Sequence, residues 1–142
     1  MTDGHEADWK VIEGDVADLG EVTDEPFDAV VCDPPYGLGD PLQGNELREM
    51  LQAWMAGESE SAGGSGFMAR EWDRIIPPPL WEAIREACKP GAFMASFGGT
   101  RTFDLQCLAQ RLARWELRDT LDWIYGCLSE DTEILTENGW RT

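Results

Sequence analysis

Four consecutive residues, Asp33-Pro34-Pro35-Tyr36, carry the clearest chemistry in this sequence of 142 residues. They follow directly on the apolar run Phe27-Asp28-Ala29-Val30-Val31-Cys32. Two prolines fix φ and remove two backbone N–H donors, so the stretch presents carbonyl oxygens and one carboxylate. Tyr36 adds a ring able to stack on a flat ligand. These acceptors suit an exocyclic amine, whose lone pair is delocalised into a heteroaromatic ring and is therefore a poor nucleophile. Asp33 and the Pro34 carbonyl can accept its two N–H hydrogens, favour a pyramidal nitrogen and aim the lone pair at an electrophile. A base in a duplex must first leave the stack, and Tyr36 can then hold its face. No covalent enzyme intermediate is needed. The plainer alternative is a rigid turn after a core strand, with Asp33 capping it.

The elements that must position this loop are legible from hydrophobic periodicity. Lys10-Val11-Ile12 predicts a short strand stopped by a turn at Gly14-Asp15. The unbroken run Phe27 to Cys32 predicts a strand buried on both faces, as in a parallel sheet. Ligands of open parallel sheets bind at the carboxyl ends of the strands, which is where Asp33 falls. Leu47, Leu51 and Trp54 have helical spacing between Asn45 and Met55, and the Ser-, Gly- and Glu-rich stretch Gly57 to Gly66 predicts a flexible loop. Prolines 77–79 suit the start of a helix whose stripe is Leu80, Ile84, Ala87 and Cys88. Lys89-Pro90-Gly91 ends that helix, and Ala92 to Phe97 is the next strand. Gly98-Gly99 breaks it before an amphipathic helix from Phe103 to Ala113, with Phe103, Cys107, Leu108 and Leu112 on one side. Trp115, Leu117, Leu121 and Trp123 occupy odd positions, which predicts a last strand near an edge. The order specifies an α/β domain.

Composition restricts the partners. The formal net charge is −17, and residues 1–60 hold sixteen Asp or Glu against Lys10 and Arg48. Duplex affinity rests on Lys and Arg displacing counterions from phosphates, so the charge taken alone argues against DNA binding. Either another polypeptide supplies a basic surface, or the protein works in high salt, where an acidic surface keeps it soluble. Cys32, Cys88, Cys107 and Cys127 form no Cys-x-x-Cys pair, and with His5 the one histidine no metal site is expected. The acidic N-terminus is unlike a signal peptide, and no apolar run approaches membrane-spanning length. A cytoplasmic protein without a membrane partner is the expectation.

Val11 to Tyr125 resembles the amino-directed DNA methyltransferases that act on adenine N6 or cytosine N4. Val11-Ile12-Glu13-Gly14-Asp15 is similar to the family's Gly-Asp strand end near the cofactor adenosine, and Phe27 to Leu38 to its strand and catalytic loop. Gly66-Phe67-Met68, Glu71-Trp72-Asp73, Trp81 through Gly91, Ser96 through Thr102, and Arg118 through Trp123 resemble the ensuing segments. The resemblance implies Asp33, Pro34, Pro35 and Tyr36 as catalytic residues, and Asp15, Asp33, Phe97 and Gly98 as contacts of S-adenosylmethionine. It also implies a partial Rossmann-like sheet with flanking helices. Aspartate at position 33 leans towards adenine over cytosine. The family's Phe-x-Gly-x-Gly cofactor loop has no counterpart here, since Ser65-Gly66-Phe67 and Phe97-Gly98-Gly99 depart from it. The chain is therefore expected to bind cofactor poorly alone and to methylate nothing unaided. Ser96 to Gly99 could border a pocket or be a plain strand end. Arg101 could meet phosphate or be an exposed arginine at a helix start.

The last sixteen residues, Cys127-Leu128-Ser129 through Asn138-Gly139-Trp140-Arg141-Thr142, resemble the first block of inteins. That block opens on a cysteine and closes at a glycine turn, for which Asn138-Gly139 is well suited. In such a junction the Cys127 thiol attacks the Gly126 carbonyl, and the amide becomes a thioester that passes to the next nucleophile. The resemblance implies residues 1–126 as an N-terminal methyltransferase part and 127–142 as an intein fragment forming a strand or hairpin. The partner is then a complementary C-terminal intein and methyltransferase fragment, with DNA bound after assembly. A truncated remnant, a fragment that assembles without splicing, and an RNA or protein N-methyltransferase remain alternatives.

Overall fold

Hydrogen bonding between two apolar runs sets the architecture. In a computed structural model, which describes residues 9–21, 25–59 and 73–124 and the backbone of 134–136 and 139–141, Phe27–Cys32 forms β1 and Cys88–Ser96 forms β2. They pair in parallel, with Val30 opposite Met94, Val31 opposite Ala95 and Cys32 opposite Ser96. Between them lie α1 (Gly44–Met55) and α2 (Pro78–Glu86), and α3 (Phe103–Leu112) follows β2. The chain is thus a mixed α/β structure around a small parallel sheet. Ile134–Thr136 (β3) and Gly139–Arg141 (β4) pair in antiparallel fashion, Thr136 opposite Gly139. The boundary at Gly126-Cys127 and the turn residue Asn138 lie outside the described residues.

Each helix ends for a local reason. Pro78 and Pro79 open α2, where a missing N–H costs nothing because the first turn has no intrahelical acceptor. After α1, Gly57 at φ +80 donates to the Trp54 carbonyl and Glu58 to that of Ala53. This is a Schellman termination, so Gly57 closes a helix as well as opening the stretch expected to be a loop. Arg114 does the same after α3 at φ +66, with its N–H on Arg111 and that of Trp115 on Gln110.

The core gathers Met50, Trp54, Ile75, Trp81, Ile84, Ala109 and Ala113, with Val30, Cys32 and Met94 of the sheet packed against it. Trp81 is fully buried. Its indole N–H donates to the Ile76 carbonyl, and its own carbonyl accepts the Trp115 indole N–H. One residue thereby joins α2 to the segments on both sides of it.

Several expectations need correction. Lys10-Val11-Ile12 belongs to no strand, and Val11 is 82% exposed. Three residues without a partner edge gain no ladder; instead Asp15 leads into a 3₁₀ helix, Val16–Glu21, that packs on α2. β1 is not buried on both faces. Val30 and Cys32 face the core, whereas Val31 and Phe93 are about three-quarters exposed. α2 and α3 touch each other, and the helical core covers the Val30–Met94 side while the Val31–Ala95 side stays open. β2 begins at Cys88, four residues early, because Phe27 pairs with Cys88 before the register jumps to Ala29–Phe93. Residues 89–92 bulge there, Gly91 at φ +86, and Lys89 reaches Asp28 at 2.7 Å. Finally, 115–124 contains no strand. Alternation permits an extended chain, but a strand also needs an edge to bond, and Leu121 and Ile124 are about 90% exposed.

Candidate functional site

Parallel pairing brings the ends of β1 and β2 to the same edge of the sheet. The Phe97 N–H donates to the Cys32 carbonyl at 3.0 Å, so Asp33–Tyr36 and Phe97–Gly99 leave the sheet side by side. Gly99 lies close against the Tyr36 side chain: a Cβ at position 99 would stand 3.2 Å from that of Tyr36. Asp33, Pro34, Pro35, Tyr36, Phe97 and Gly98, all singled out from sequence, therefore share one mouth.

Within the loop, Pro34 is buried and Asp33 is exposed. The Tyr36 hydroxyl donates to Asp33 Oδ1 at 2.5 Å. That bond holds the phenol pKa above its ordinary value, because ionisation would lose the bond and set two anions together. Burial pushes the Cys32 thiol up as well; the Ser96 hydroxyl opposes the shift and the Asp33 charge adds to it. Among the described residues nothing donates to the Pro34 or Pro35 carbonyl. Both follow the exposed Asp33 directly in the chain, Pro34 buried and Pro35 half-buried.

Beyond Tyr36 the backbone is pinned group by group. The Thr102 hydroxyl donates to the Tyr36 carbonyl. The N–H groups of Gly37 and Leu38 donate to the two carboxylate oxygens of Asp73, at 3.1 and 3.0 Å. The Arg101 guanidinium donates to the Gly39 carbonyl at 2.9 Å and lies 3.4 Å from that of Leu38. Arg101 is thus a helix-start arginine tied to the loop. On the other side of the mouth, the Gln106 amide donates to the Ser96 hydroxyl at 2.9 Å and to the Phe97 carbonyl at 2.8 Å. Ser96–Gly99 is both a strand end and the second wall of the mouth.

Asp73 and Thr102 stand in segments that carry the family resemblance but without an assigned role, and Gln106 was not singled out. Asp73 is one acid among 28 Asp and Glu, yet only 5% exposed. Thr102 and Gln106 are four residues apart, a spacing that puts both on one helix face, but nothing in the pattern says that this face meets the loop.

Asp15 does not join the mouth by any hydrogen bond. Its carboxylate accepts the Ala17 N–H at 2.8 Å and opens its own 3₁₀ turn. Phe97 is edge-on to Trp123 with ring centroids 6.0 Å apart. Gly98 is pressed on Gln106, whose Oε1 would meet an added Cβ at 2.7 Å. Gly126 and Cys127 lie outside the described residues, as do Gly66-Phe67-Met68 and Glu71-Trp72. Among the described residues no three His, Cys, Asp or Glu gather, and no helix is long and apolar enough to cross a membrane.

No family model matches the chain. No curated protein and no solved structure matches it either.

Proposed function

We propose that the chain is the amine-holding part of a DNA methyltransferase directed at adenine N6, with cytosine N4 the second choice. The observation that carries the reading is the pair of unbonded proline carbonyls beside the exposed Asp33 carboxylate, on a loop whose far end is pinned. An exocyclic amine entering the mouth donates one N–H to Asp33 and the other to Pro34. Both bonds draw the nitrogen out of conjugation and turn its lone pair outward. Fixed acceptors lose nothing to reorganisation when charge develops on the nitrogen, which is where preorganisation acts. Asp33 Oδ1 already accepts from Tyr36, but a carboxylate has several lone-pair sites and can keep the phenol while taking the amine. If the ring turns away, it is free to stack on the base.

The family's Phe-x-Gly-x-Gly cofactor loop has no counterpart in this sequence. Of the positions the resemblance implies for S-adenosylmethionine, Asp15 accepts the Ala17 N–H on one carboxylate oxygen, Gly98 is backed by Gln106, and Phe97 meets Trp123 edge-on. In this reading the methyl donor is held by a complementary polypeptide, and the present chain holds and orients the amine. The same polypeptide supplies the basic surface that a chain of net charge −17 lacks.

The joining chemistry is assigned to Cys127, on the strength of the intein-like sequence from Cys127 to Thr142. The antiparallel pairing of β3 with β4 is compatible with it. Mixing the chain with a polypeptide that carries the remaining intein and methyltransferase segments tests both parts. The expected result is a ligated product lacking residues 127–142 that methylates adenine in DNA. Cys127→Ala should abolish ligation, and Asp33→Ala should leave ligation intact while lowering methyl transfer by at least about 100-fold. Ligation by the Cys127→Ala chain would refute the splicing part, and methylation by the Asp33→Ala product the catalytic part.

A further inference from the structure

The loop is gripped from below by a residue that the amine chemistry does not itself require. Gly37 has φ +64, a left-handed conformation, and its N–H and that of Leu38 donate to the two oxygens of one carboxylate. Two successive N–H groups converging on one anion make a backbone nest, a concavity with partial positive charge. Asp73 fills it. The side chain is only 5% exposed, and burying a carboxylate is costly unless its oxygens are bonded. Here the bonds are charge-assisted, stronger than neutral amide bonds. Two residues on, Ile75 closes the same glycine from another side: its Cγ1 would stand 2.6 Å from a Cβ at position 37. Ile75 is itself buried in the core. The segment from Asp73 to Ile75 thus fixes Gly37 through its N–H and leaves no room for a side chain.

We propose that Asp73 is the positioning residue of the amine-binding loop, holding the Asp33 carboxylate and the Pro34 carbonyl at their spacing by anchoring the backbone at Gly37 and Leu38. This rests on the reading of Asp33–Tyr36 as an amine site. The physical reason lies in the count of free torsions. At one end the loop is fixed by the sheet, through the Phe97 bond to the Cys32 carbonyl. In the middle two prolines hold φ. At the far end Thr102 holds the Tyr36 carbonyl and Arg101 that of Gly39, and the nest fixes the Gly37 and Leu38 N–H groups between them. With Asp73 in place, Asp33 and Tyr36 face each other at hydrogen-bond distance; without it the turn behind Tyr36 loses both amide anchors and that separation loosens.

The test uses the full chain and needs no methyl transfer. In an isotopically labelled sample, couplings across the hydrogen bonds should connect the Gly37 and Leu38 amides to the Asp73 side-chain carboxylate carbon. Asp73→Asn keeps one acceptor oxygen, so one of the two amides should keep its protection while the other exchanges at least about tenfold faster. Asp73→Ala should release both, with the Trp81 and Ala109 amides unchanged. In a Tyr125→Phe background, where Tyr36 is the one tyrosine, Asp73→Ala should also let the phenol ionise at a lower pH, nearer the ordinary value. A purely structural role would not move that signal in a folded chain. The proposal is overturned if the couplings are absent in the wild-type chain, if Asp73→Asn leaves both amides equally protected, or if protection falls uniformly through the core. A chain that passes these measurements but yields no methylated DNA after ligation would refute the methyltransferase reading and leave the anchor standing.

Discussion

The Tyr36 hydroxyl and the Asp33 carboxylate, 2.5 Å apart, form a contact whose strength depends on the phenol keeping its proton. Because the folded-state pKa is raised, the bond favours the folded chain below the ordinary tyrosine value of about 10, for as long as Asp33 is ionised. Above that value the unfolded chain releases its proton first, and the contribution fades as the pH rises through the folded value. Phenolate absorbance in a Tyr125→Phe background should therefore show Tyr36 ionising later than free tyrosine. Asp33→Ala should return it to the ordinary range. If Asp33→Ala leaves the titration where it was, the two groups are not partners in solution. The residues identified from sequence and those found only in the structure divide by kind. Asp33, Pro34, Pro35 and Tyr36 announce themselves by type and adjacency. Asp73 and Thr102 act on loop backbone groups 36 and 66 positions away, and Gln106 on the Phe97 carbonyl across the mouth; no local pattern encodes such pairings.

Among the elements, α2 carries the most packing. Trp81 is its one fully buried side chain and bonds at both its indole N–H and its carbonyl. Trp81→Ala should cost roughly 3–5 kcal/mol, a large part of the stability of a domain this size. Trp81→Phe keeps most of the bulk and gives up the indole bond to Ile76. It should cost less than the alanine change by about 2 kcal/mol or more. Urea unfolding measures both, and equal costs would show that Trp81 does not organise the core. Periodicity located all three helices, but it chose the wrong face of α3: Phe103, Leu108 and Leu112 stay exposed, and Gln106, Ala109 and Gln110 turn inward instead. It also placed β1 and most of β2. It misplaced Lys10–Ile12 and 115–123, where the residue types suit a strand but no neighbouring edge bonds them. It missed the bulge at 89–92, which follows from pairing Phe27 with Cys88 while Ala29 pairs with Phe93.

At the scale of the whole molecule, charge dominates. Twenty-eight acidic residues face eleven basic ones. The ion pairs among the described residues, such as Lys89–Asp28 and Arg118–Glu116, are exposed and individually worth about 0–1 kcal/mol. Self-repulsion at net charge −17 should outweigh them. Raising KCl shortens the screening length from about 10 Å at 0.1 M to about 3 Å at 1 M. The urea midpoint should therefore increase with KCl over that range. A midpoint that falls instead would mean that the ion pairs stabilise the chain more than its excess charge opposes it.

What the sequence by itself determined is local: an apolar run too continuous for a loop, prolines that must stop it, helices whose stripes repeat at the helical period, and an acceptor-rich turn after the first strand. Each depends on neighbours within a few positions, where backbone sterics and side-chain spacing decide. What only the tertiary structure decided is relational. Parallel pairing of β1 with β2 set Asp33–Tyr36 beside Phe97–Gly99, and the nest at Gly37 and Leu38 received a carboxylate from Asp73. The chain also left Asp15 at its own turn and one face of the sheet open. Hydrogen bonds and burial between distant segments are settled by which surfaces fit, and that fit is a property of the assembled chain.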